Sequence, residues 1–261
     1  LTSAQVGALT TTQIAAIEVA DLPGLSASAI GAMTTAQVRA LSTEQIVALS
    51  SVQVAGLTLN QLGALSTDSV QAIEASDFAA INIAAIRGLT TAQVAVLTSE
   101  QVAALTTAQI RAMEVADVAA LSTASIAALN SGQLGALTST QLAGLTTAQI
   151  QAIDDGNIPL LASNAIAGLT TAQIRALSSD QLIALTTAQA AALTASQLTA
   201  LTTDQVAALE VVDLAAISVG AIAGLTSAQV AALTDAQVQA LTTAQISRLD
   251  AADLQGLSTA D

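Results

Sequence analysis

Six acidic segments contain the residues whose types and spacing could do chemistry. Four of them place a glutamate and an aspartate three residues apart, in the pairs Glu18 and Asp21, Glu74 and Asp77, Glu114 and Asp117, and Glu210 and Asp213. Oxygen ligands of this kind suit Ca²⁺, so the candidate calcium ligands are Glu18, Asp21, Asp154, Asp155 and Asn157. The alternative is structural: Asp and Glu also favour helix N-termini, so the acidic segments would be variants of a helix cap.

Composition argues against catalysis by these carboxylates. The sequence has no Cys, His, Trp, Tyr or Lys, and its one aromatic residue is Phe78. The usual general base, the thiolate nucleophile and the zinc-type ligand sets are therefore missing. Glycoside hydrolysis could use a carboxylate pair, but six near-identical segments without an aromatic sugar platform argue against it. We predict a non-enzymatic protein without a cofactor, calcium being the one candidate.

Charge and hydropathy exclude two kinds of partner. Five Arg stand against 19 acidic residues, and the net charge of −14 repels the phosphate backbone of nucleic acids. The apolar fraction is 53%, yet Thr, Ser or Gln interrupts the apolar residues before they reach the length of a membrane-spanning helix. We therefore expect neither nucleic-acid binding nor membrane insertion.

One eight-residue unit, here called a word, repeats along the whole chain. Counting from Leu1, position 1 is Leu, Ile or Met in all 33 words, and position 6 is apolar and larger than Ala in 31 of 32. Position 8 is Ala or Gly in 29 of 32 words, which suggests a third buried position where backbones can approach closely. Position 2 is Ser or Thr in 24 of 33 words, and position 5 is Gln in 20 of 33.

The word predicts a short helix that restarts every eight residues. In one continuous helix each word would rotate the apolar stripe by about 80°. Ser or Thr at position 2 with Gln at position 5 is instead a capping box, which begins a new helix. The predicted capping residues in one stretch are Thr90, Gln93, Thr98, Gln101, Thr106 and Gln109. The predicted core residues there are Leu89, Val94, Leu97, Val102, Leu105 and Ile110.

Such short helices are unstable alone, so they must stack. We predict an all-α solenoid that runs as a single continuous array over residues 1–261, with a β-solenoid as the alternative fold. Frequent Ala and Gln disfavour strands. The acidic words and the two prolines, Pro23 and Pro159, recur after 136 residues, which indicates a super-repeat of 1–136 and 137–261. Proline lacks an N–H, so the helices that contain it should be shortened or distorted.

Two polar series remain. Arg39, Arg87, Arg111 and Arg175 occupy position 7, which should face outward and serve solubility or contact with an acidic neighbour. The Gln series could form a hydrogen-bonding ladder for a partner, but capping already accounts for it.

The "LTTAQVAAL"-type word resembles the Ala/Thr/Gln-rich octad tracts of very long bacterial surface and secreted adhesin-like proteins, often labelled haem-utilisation or adhesion proteins. The resemblance implies an extracellular, extended structural segment. Its haem part finds no support, because His, Cys and Tyr are missing. We expect a spacer or a self-assembling fibre whose chains associate end to end or laterally. The alternative is an adhesive module that recognises a protein or glycan through one face of the repeat.

Overall fold

A computed structural model describes residues 1–255, in which nearly every word forms one helix of four to six residues. The word that begins at Leu257 lies outside the described residues. The chain divides into two compact units, Leu1–Ala136 and Leu137–Asp261. This boundary is that of the two sequence copies, while the single continuous array stays a prediction.

The helices of the first unit are α1 Ser3–Ala8, α2 Thr11–Ala15, a 3₁₀ helix Val19–Gly24, α3 Ala27–Gly31, α4 Thr35–Arg39, α5 Thr43–Val47, α6 Ser51–Val54, α7 Leu59–Ala64, α8 Thr67–Ala72, α9 Ala75–Phe78, α10 Ile83–Ile86, α11 Thr91–Ala95, α12 Ser99–Ala104, α13 Thr107–Ala112, α14 Val115–Ala120, α15 Thr123–Ala127 and α16 Ser131–Ala136. Those of the second unit are α17 Ser139–Gly144, α18 Thr147–Gln151, a 3₁₀ helix Asp155–Leu160, α19 Ser163–Ala167, α20 Thr171–Ala176, α21 Ser179–Ile183, α22 Thr187–Ala191, α23 Ala195–Ala200, α24 Thr203–Ala208, α25 Val211–Ala216, α26 Val219–Ile222, α27 Ser227–Val230, α28 Asp235–Ala240, α29 Thr243–Ile246 and α30 Ala251–Gln255.

Two extended residues separate successive helices. After α11, Val96 still has helical dihedrals, with φ −99° and ψ −1°. Leu97, at position 1, and Thr98, at position 2, then lead into α12, and Thr98 has φ −73° and ψ 158°. The Leu97 N–H still donates to Val94 O of the preceding helix at 3.1 Å. No residue from 1 to 255 outside glycine has a positive φ, so the linker needs no left-handed residue. The described residues contain no strand, which confirms the all-α solenoid and makes the β-solenoid alternative wrong.

The two prolines lie inside the two 3₁₀ helices. Pro23 falls in Val19–Gly24 and Pro159 in Asp155–Leu160. At position 7 the missing N–H removes a helical hydrogen bond, so the tighter 3₁₀ form replaces the α-helix, as the sequence predicts.

Within each unit a helix packs against the helix three words earlier and the helix three words later. Thus α11 contacts α8 and α14, and α22 contacts α19 and α25. The side chains at positions 1 and 6 fill the space between the helices; Leu89, Val94, Leu97, Val102 and Leu105 are at most 4% exposed. Burying each such side chain stabilises the fold by about 1.5–3 kcal/mol, which an isolated word cannot gain.

The third buried position is 5, and not 8 as the sequence suggested. Gln93, Gln101 and Gln109 are at most 2% exposed, whereas most position-8 residues are only half-buried. Position 8 is small because it approaches another backbone. A Cβ added to Gly88 would collide with the backbone of Leu59, three words earlier.

These contacts predict opposite effects for two Gly→Ala substitutions. Gly88→Ala should destabilise the chain by about 1–3 kcal/mol, because the backbone of Leu59 cannot move aside cheaply. Gly220→Ala, inside α26 with no atom within 4 Å of the new Cβ, should stabilise it by about 0.5–1 kcal/mol. Chemical denaturation of the two variants beside the parent chain measures both. Equal destabilisation would contradict the close approach at Gly88.

Candidate functional site: a buried glutamine ladder

The words with Ser or Thr at position 2 and Gln at position 5 begin with a reciprocal pair of hydrogen bonds. Gln93 N donates to Thr90 Oγ1 at 3.3 Å, and Thr90 N donates to Gln93 Oε1 at 2.8 Å. The same two bonds measure 3.2 and 3.0 Å between Thr98 and Gln101, and 3.2 and 2.7 Å between Thr106 and Gln109. The glutamine Oε1 atom therefore fixes the start of its own helix.

The glutamine Nε2 atom bonds a different turn of the chain. Gln93 Nε2 donates to Leu62 O at 3.0 Å and to Leu65 O at 2.8 Å, which lie 31 and 28 residues earlier. The same two offsets recur at Gln37, Gln45, Gln53, Gln61, Gln101, Gln109 and Gln133 in the first unit, and at Gln173, Gln181, Gln189, Gln197, Gln229, Gln237 and Gln245 in the second. We call this series the glutamine ladder.

The ladder fixes the size of a turn and satisfies an otherwise unpaired group. Helices pack three words apart and the ladder reaches to the junction between the third and fourth preceding words, so one turn takes between three and four words. The position-1 carbonyl, such as Leu65 O, lies in the linker where no helical N–H follows. A buried carbonyl without a donor is costly, and the glutamine amide supplies the donor.

The ladder was not foreseen from the sequence, although one signal was present. A capping box accepts Glu as readily as Gln, because only the acceptor oxygen is used. Position 5 holds 20 Gln and no Glu. That exclusion indicates a required N–H donor, and the ladder is where it is required.

The acidic words interrupt the ladder. In four of the six the position-5 residue is an aspartate as buried as the glutamines, at Asp77, Asp117, Asp213 and Asp253, and a carboxylate has no donor for a carbonyl. The preceding glutamates are not hydrogen-bonded caps, because Glu18, Glu74, Glu114 and Glu210 make no side-chain bond to the helix start. They still lie at a helix N-terminus, where the helix dipole favours a carboxylate. In two other acidic words the aspartate does form the cap, because Asp154 accepts from Gly156 N and Asp250 accepts from Asp253 N.

The buried aspartates do not all share one environment. Ser51 Oγ donates to Asp77 Oδ1 at 2.5 Å, and Ser227 Oγ donates to Asp253 Oδ1 at 2.8 Å. Asp213 Oδ2 is buried without a hydrogen-bond partner. Burial, and then the negative charge of Glu114, raise the pKa of Asp117 above its ordinary value. The acidic words are thus local costs to stability.

The candidate calcium ligands do not form a shared site. Glu18 and Asp21 are exposed and line an open pocket of about 500 Å³. The carboxylates of Asp154 and Asp155 each accept the N–H of Gly156 at 3.0 Å. In the described range 1–255 no three Asp or Glu residues come together as a metal-binding group. The geometry therefore gives the calcium hypothesis no ligand set.

Position 7 does not simply face solvent. Arg39 Nε donates to Ala64 O at 2.8 Å, 25 residues later, at the C-terminal end of a neighbouring helix. Gln71, Gln151 and Thr199 make the equivalent bond to Val96 O, Ala176 O and Gly224 O. Polar residues at position 7 thus form a second, sparser set of links between turns, which the outward-facing interpretation missed.

Short stacked helices joined by a repeating side-chain ladder define a helical tandem-repeat protein. The sequence matches the model of the ALTTAQ repeat over residues 14–51, 70–107, 110–147, 126–163, 150–187, 158–195 and 206–243, and the chain belongs to this repeat family. None of the curated proteins compared with the chain matches it. Across residues 1–255, no helix has both the length and the apolar character needed to cross a bilayer.

The ladder predicts that Gln93→Glu is strongly destabilising. Glu keeps the acceptor for the capping box but turns a carboxylate toward Leu62 O and Leu65 O, so we expect a loss of about 2–4 kcal/mol. Gln13→Glu is the matched control, because Gln13 is exposed and makes only the capping-box contacts. Urea unfolding of both variants decides the question, and equal losses would refute a role for Nε2.

The raised pKa of Asp117 predicts the direction in which the stability of the chain changes with pH. A pKa that is higher in the folded than in the unfolded chain means that stability is greatest below the ordinary value of 3.8 and falls as pH rises through the raised pKa. Asp117→Asn should therefore stabilise the chain at about pH 7 and change little at about pH 3. Asp68→Asn, at an exposed position, controls for the loss of one charge. Unfolding curves at both pH values test this, and stabilisation confined to the acid side would contradict it.

Proposed function

We propose that this chain is a non-catalytic structural segment of a bacterial extracellular surface or secreted protein. It acts as an extended spacer that also associates with copies of itself into filaments. Membership of a tandem-repeat family supports a structural role. The extracellular setting rests on the resemblance of the word to the octad tracts of adhesin-like proteins.

The observation that carries the spacer function is the form of the glutamine ladder. The glutamines of each turn donate to the turn before, and the position-1 and position-6 carbonyls of each turn face the turn after. Gln93, for instance, donates to Leu62 O and Leu65 O. In its own turn the corresponding carbonyls belong to Val94 and Leu97. Nothing in this pattern sets a length. A solenoid of this kind gains the same contacts with every added turn, so it can be lengthened without a new core.

The polar groups of the word are engaged in building the array. The Gln side chain is buried with its amide oxygen and nitrogen both bonded, and the position-2 hydroxyl accepts from the helix start. The repeated polar groups thus make contacts within the molecule, which suits a protein with a structural role. A catalyst would instead present convergent polar groups in a cleft.

Insertion variants test the spacer function. A second copy of residues 1–136 inserted after Ala136 should lengthen the particle in electron micrographs and in small-angle scattering, since every word keeps its ladder offset of 28 and 31 residues. A four-residue insertion at the same place is the control: it breaks the offset and should lower stability without a regular gain in length. A longer chain that yields only a wider, compact particle would contradict the spacer function.

The same micrographs test self-association. Filaments that lengthen with protein concentration would support it. Single particles at every concentration would contradict it and favour an adhesive module that binds another protein or a glycan.

A further inference from the structure

Five helices of the first unit form one stacked series with a common position-7 row. Helix α4 contacts α7, α7 contacts α10, α10 contacts α13, and α13 contacts α16. Position 7 of these five words holds Arg39, Gly63, Arg87, Arg111 and Gly135. We call this row, with the surface around it, the arginine face.

Positive charge is concentrated on this face, and the negative charges of the unit lie in other words. All three arginines of the first unit lie on it, and the five words that build it contain no Asp or Glu. The nine acidic residues of the unit all lie in other words: Glu18, Asp21, Glu44, Asp68, Glu74, Asp77, Glu100, Glu114 and Asp117. In a chain of net charge −14, a face without acids that gathers the arginines is a distinct electrostatic surface.

Two grooves with a similar lining lie along the face. One groove, of about 380 Å³, lies beside Arg39, Gly63 and Ala64. The other, of about 420 Å³, lies beside Arg111, Gly135 and Ala136. In both, a Thr at position 3 lines the groove as well, at Thr35 and Thr107. At Gly63 the backbone of Gly88 packs so closely that a Cβ would meet its carbonyl oxygen at 2.4 Å, while the groove itself is open, so a group from outside can reach the arginine.

The guanidinium groups keep donors for such a group. Arg39 uses Nε for Ala64 O, which holds the side chain along the groove, and its terminal nitrogens bond no other described residue. Arg87 and Arg111 are exposed and have no side-chain partner between residues 1 and 255. The planar fork of arginine matches a carboxylate with two parallel N–H donors.

We propose that the arginine face binds the carboxylates of a second copy of this chain, side by side. The inference deepens the proposed function, because it supplies the surface and the polarity of the self-association. The partner's surface is the exposed position-4 acids: Glu44 and Asp68 on the stacked helices α5 and α8, and Asp180 and Asp204 on α21 and α24.

Matching spacing is the reason for choosing a second copy. Arg87 and Arg111 lie one stacking step apart at position 7, on α10 and α13, and Glu44 and Asp68 lie one step apart at position 4. Both rows follow the same helix-to-helix distance, about 8–10 Å, so two charges of one copy meet two of another in register. A hydrogen bond from the side chain of Ser42 lowers the pKa of Glu44, which keeps that carboxylate ionised.

Two different surfaces meet in this contact, so it is heterologous and does not close a dimer. After one contact has formed, the copy that supplied the arginines still presents free acidic pairs, and the copy that supplied the acids still presents a free arginine face. The association therefore continues laterally into sheets or bundles.

The test compares two charge-matched variants of the full chain. Arg87→Gln with Arg111→Gln removes two charges from the arginine face, and Arg175→Gln with Arg248→Gln removes two exposed charges elsewhere. Sedimentation velocity at about 20 mM and about 300 mM NaCl should show self-association of the parent chain that weakens roughly tenfold or more with salt. The first variant should lose about tenfold in affinity at low salt, and the second less than about twofold.

A charge-reversal experiment identifies the occupant. Chains with Arg87→Glu and Arg111→Glu should not associate with one another. Chains with Glu44→Arg, Asp68→Arg, Asp180→Arg and Asp204→Arg should not associate with one another either. A mixture of the two variants should associate again. Circular dichroism of each variant confirms that it is folded. Equal losses in the two Gln variants, or no recovery in the mixture, would overturn the proposal.

Two further outcomes separate this proposal from the proposed function. Filaments that persist unchanged in the Arg87→Gln, Arg111→Gln variant would overturn the arginine face as the contact and leave self-assembly intact. A parent chain that stays monomeric at both salt concentrations would overturn both. Retention on a polyuronate column that depends on Arg87 and Arg111, without self-association, would assign the face to an acidic polysaccharide and overturn the second copy as its partner.

Discussion

The fold depends on one bifunctional side chain. In each ladder word the glutamine amide oxygen fixes where the helix begins, and the amide nitrogen fixes which carbonyls of the preceding turn lie above it; at Gln109 these are Thr106 N, Phe78 O and Ile81 O. Local helix initiation and stacking therefore use the same residue. A helix of four to six residues is unstable alone, and in the ladder words the residue that caps it also supplies a tertiary contact. Removing one glutamine amide breaks both at once.

The sequence predicted what depends on a single word and missed what depends on two turns. The capping box, the apolar positions 1 and 6 and the effect of Pro23 and Pro159 are local, so eight residues contain the information. The number of words per turn is set by where Nε2 finds a carbonyl, 28 and 31 residues away, and no pattern within a word encodes that distance. Position 8 is small for the close backbone approach that the sequence predicts, but most of its residues are only half-buried, and the third fully buried position is 5.

The acidic words are interruptions in an otherwise uniform array. Where Asp replaces Gln the cap loses part of its support and the carbonyls of the earlier turn lose a donor; Asp213 Oδ2 is left buried without a partner. In a solenoid, where stability is a sum of neighbouring contacts, such steps are the weakest links, and local opening begins there. They recur at the same places in both copies of the super-repeat, which distributes the weak steps along the chain and does not gather them at one end.

A repeat also determines how surfaces can be recognised. Any residue type that occurs at one position every third word becomes a row with the spacing of the stacked helices, whatever its chemistry. Two such rows of opposite charge on one molecule have the same spacing, because both follow the distance between stacked helices. The charges of one row can therefore pair in register with those of the other. Arg87 and Arg111, and Glu44 and Asp68, are pairs of this kind. The helix-to-helix spacing that lets each turn bond the next within the chain therefore also matches the arginine row of one chain to the acidic row of another.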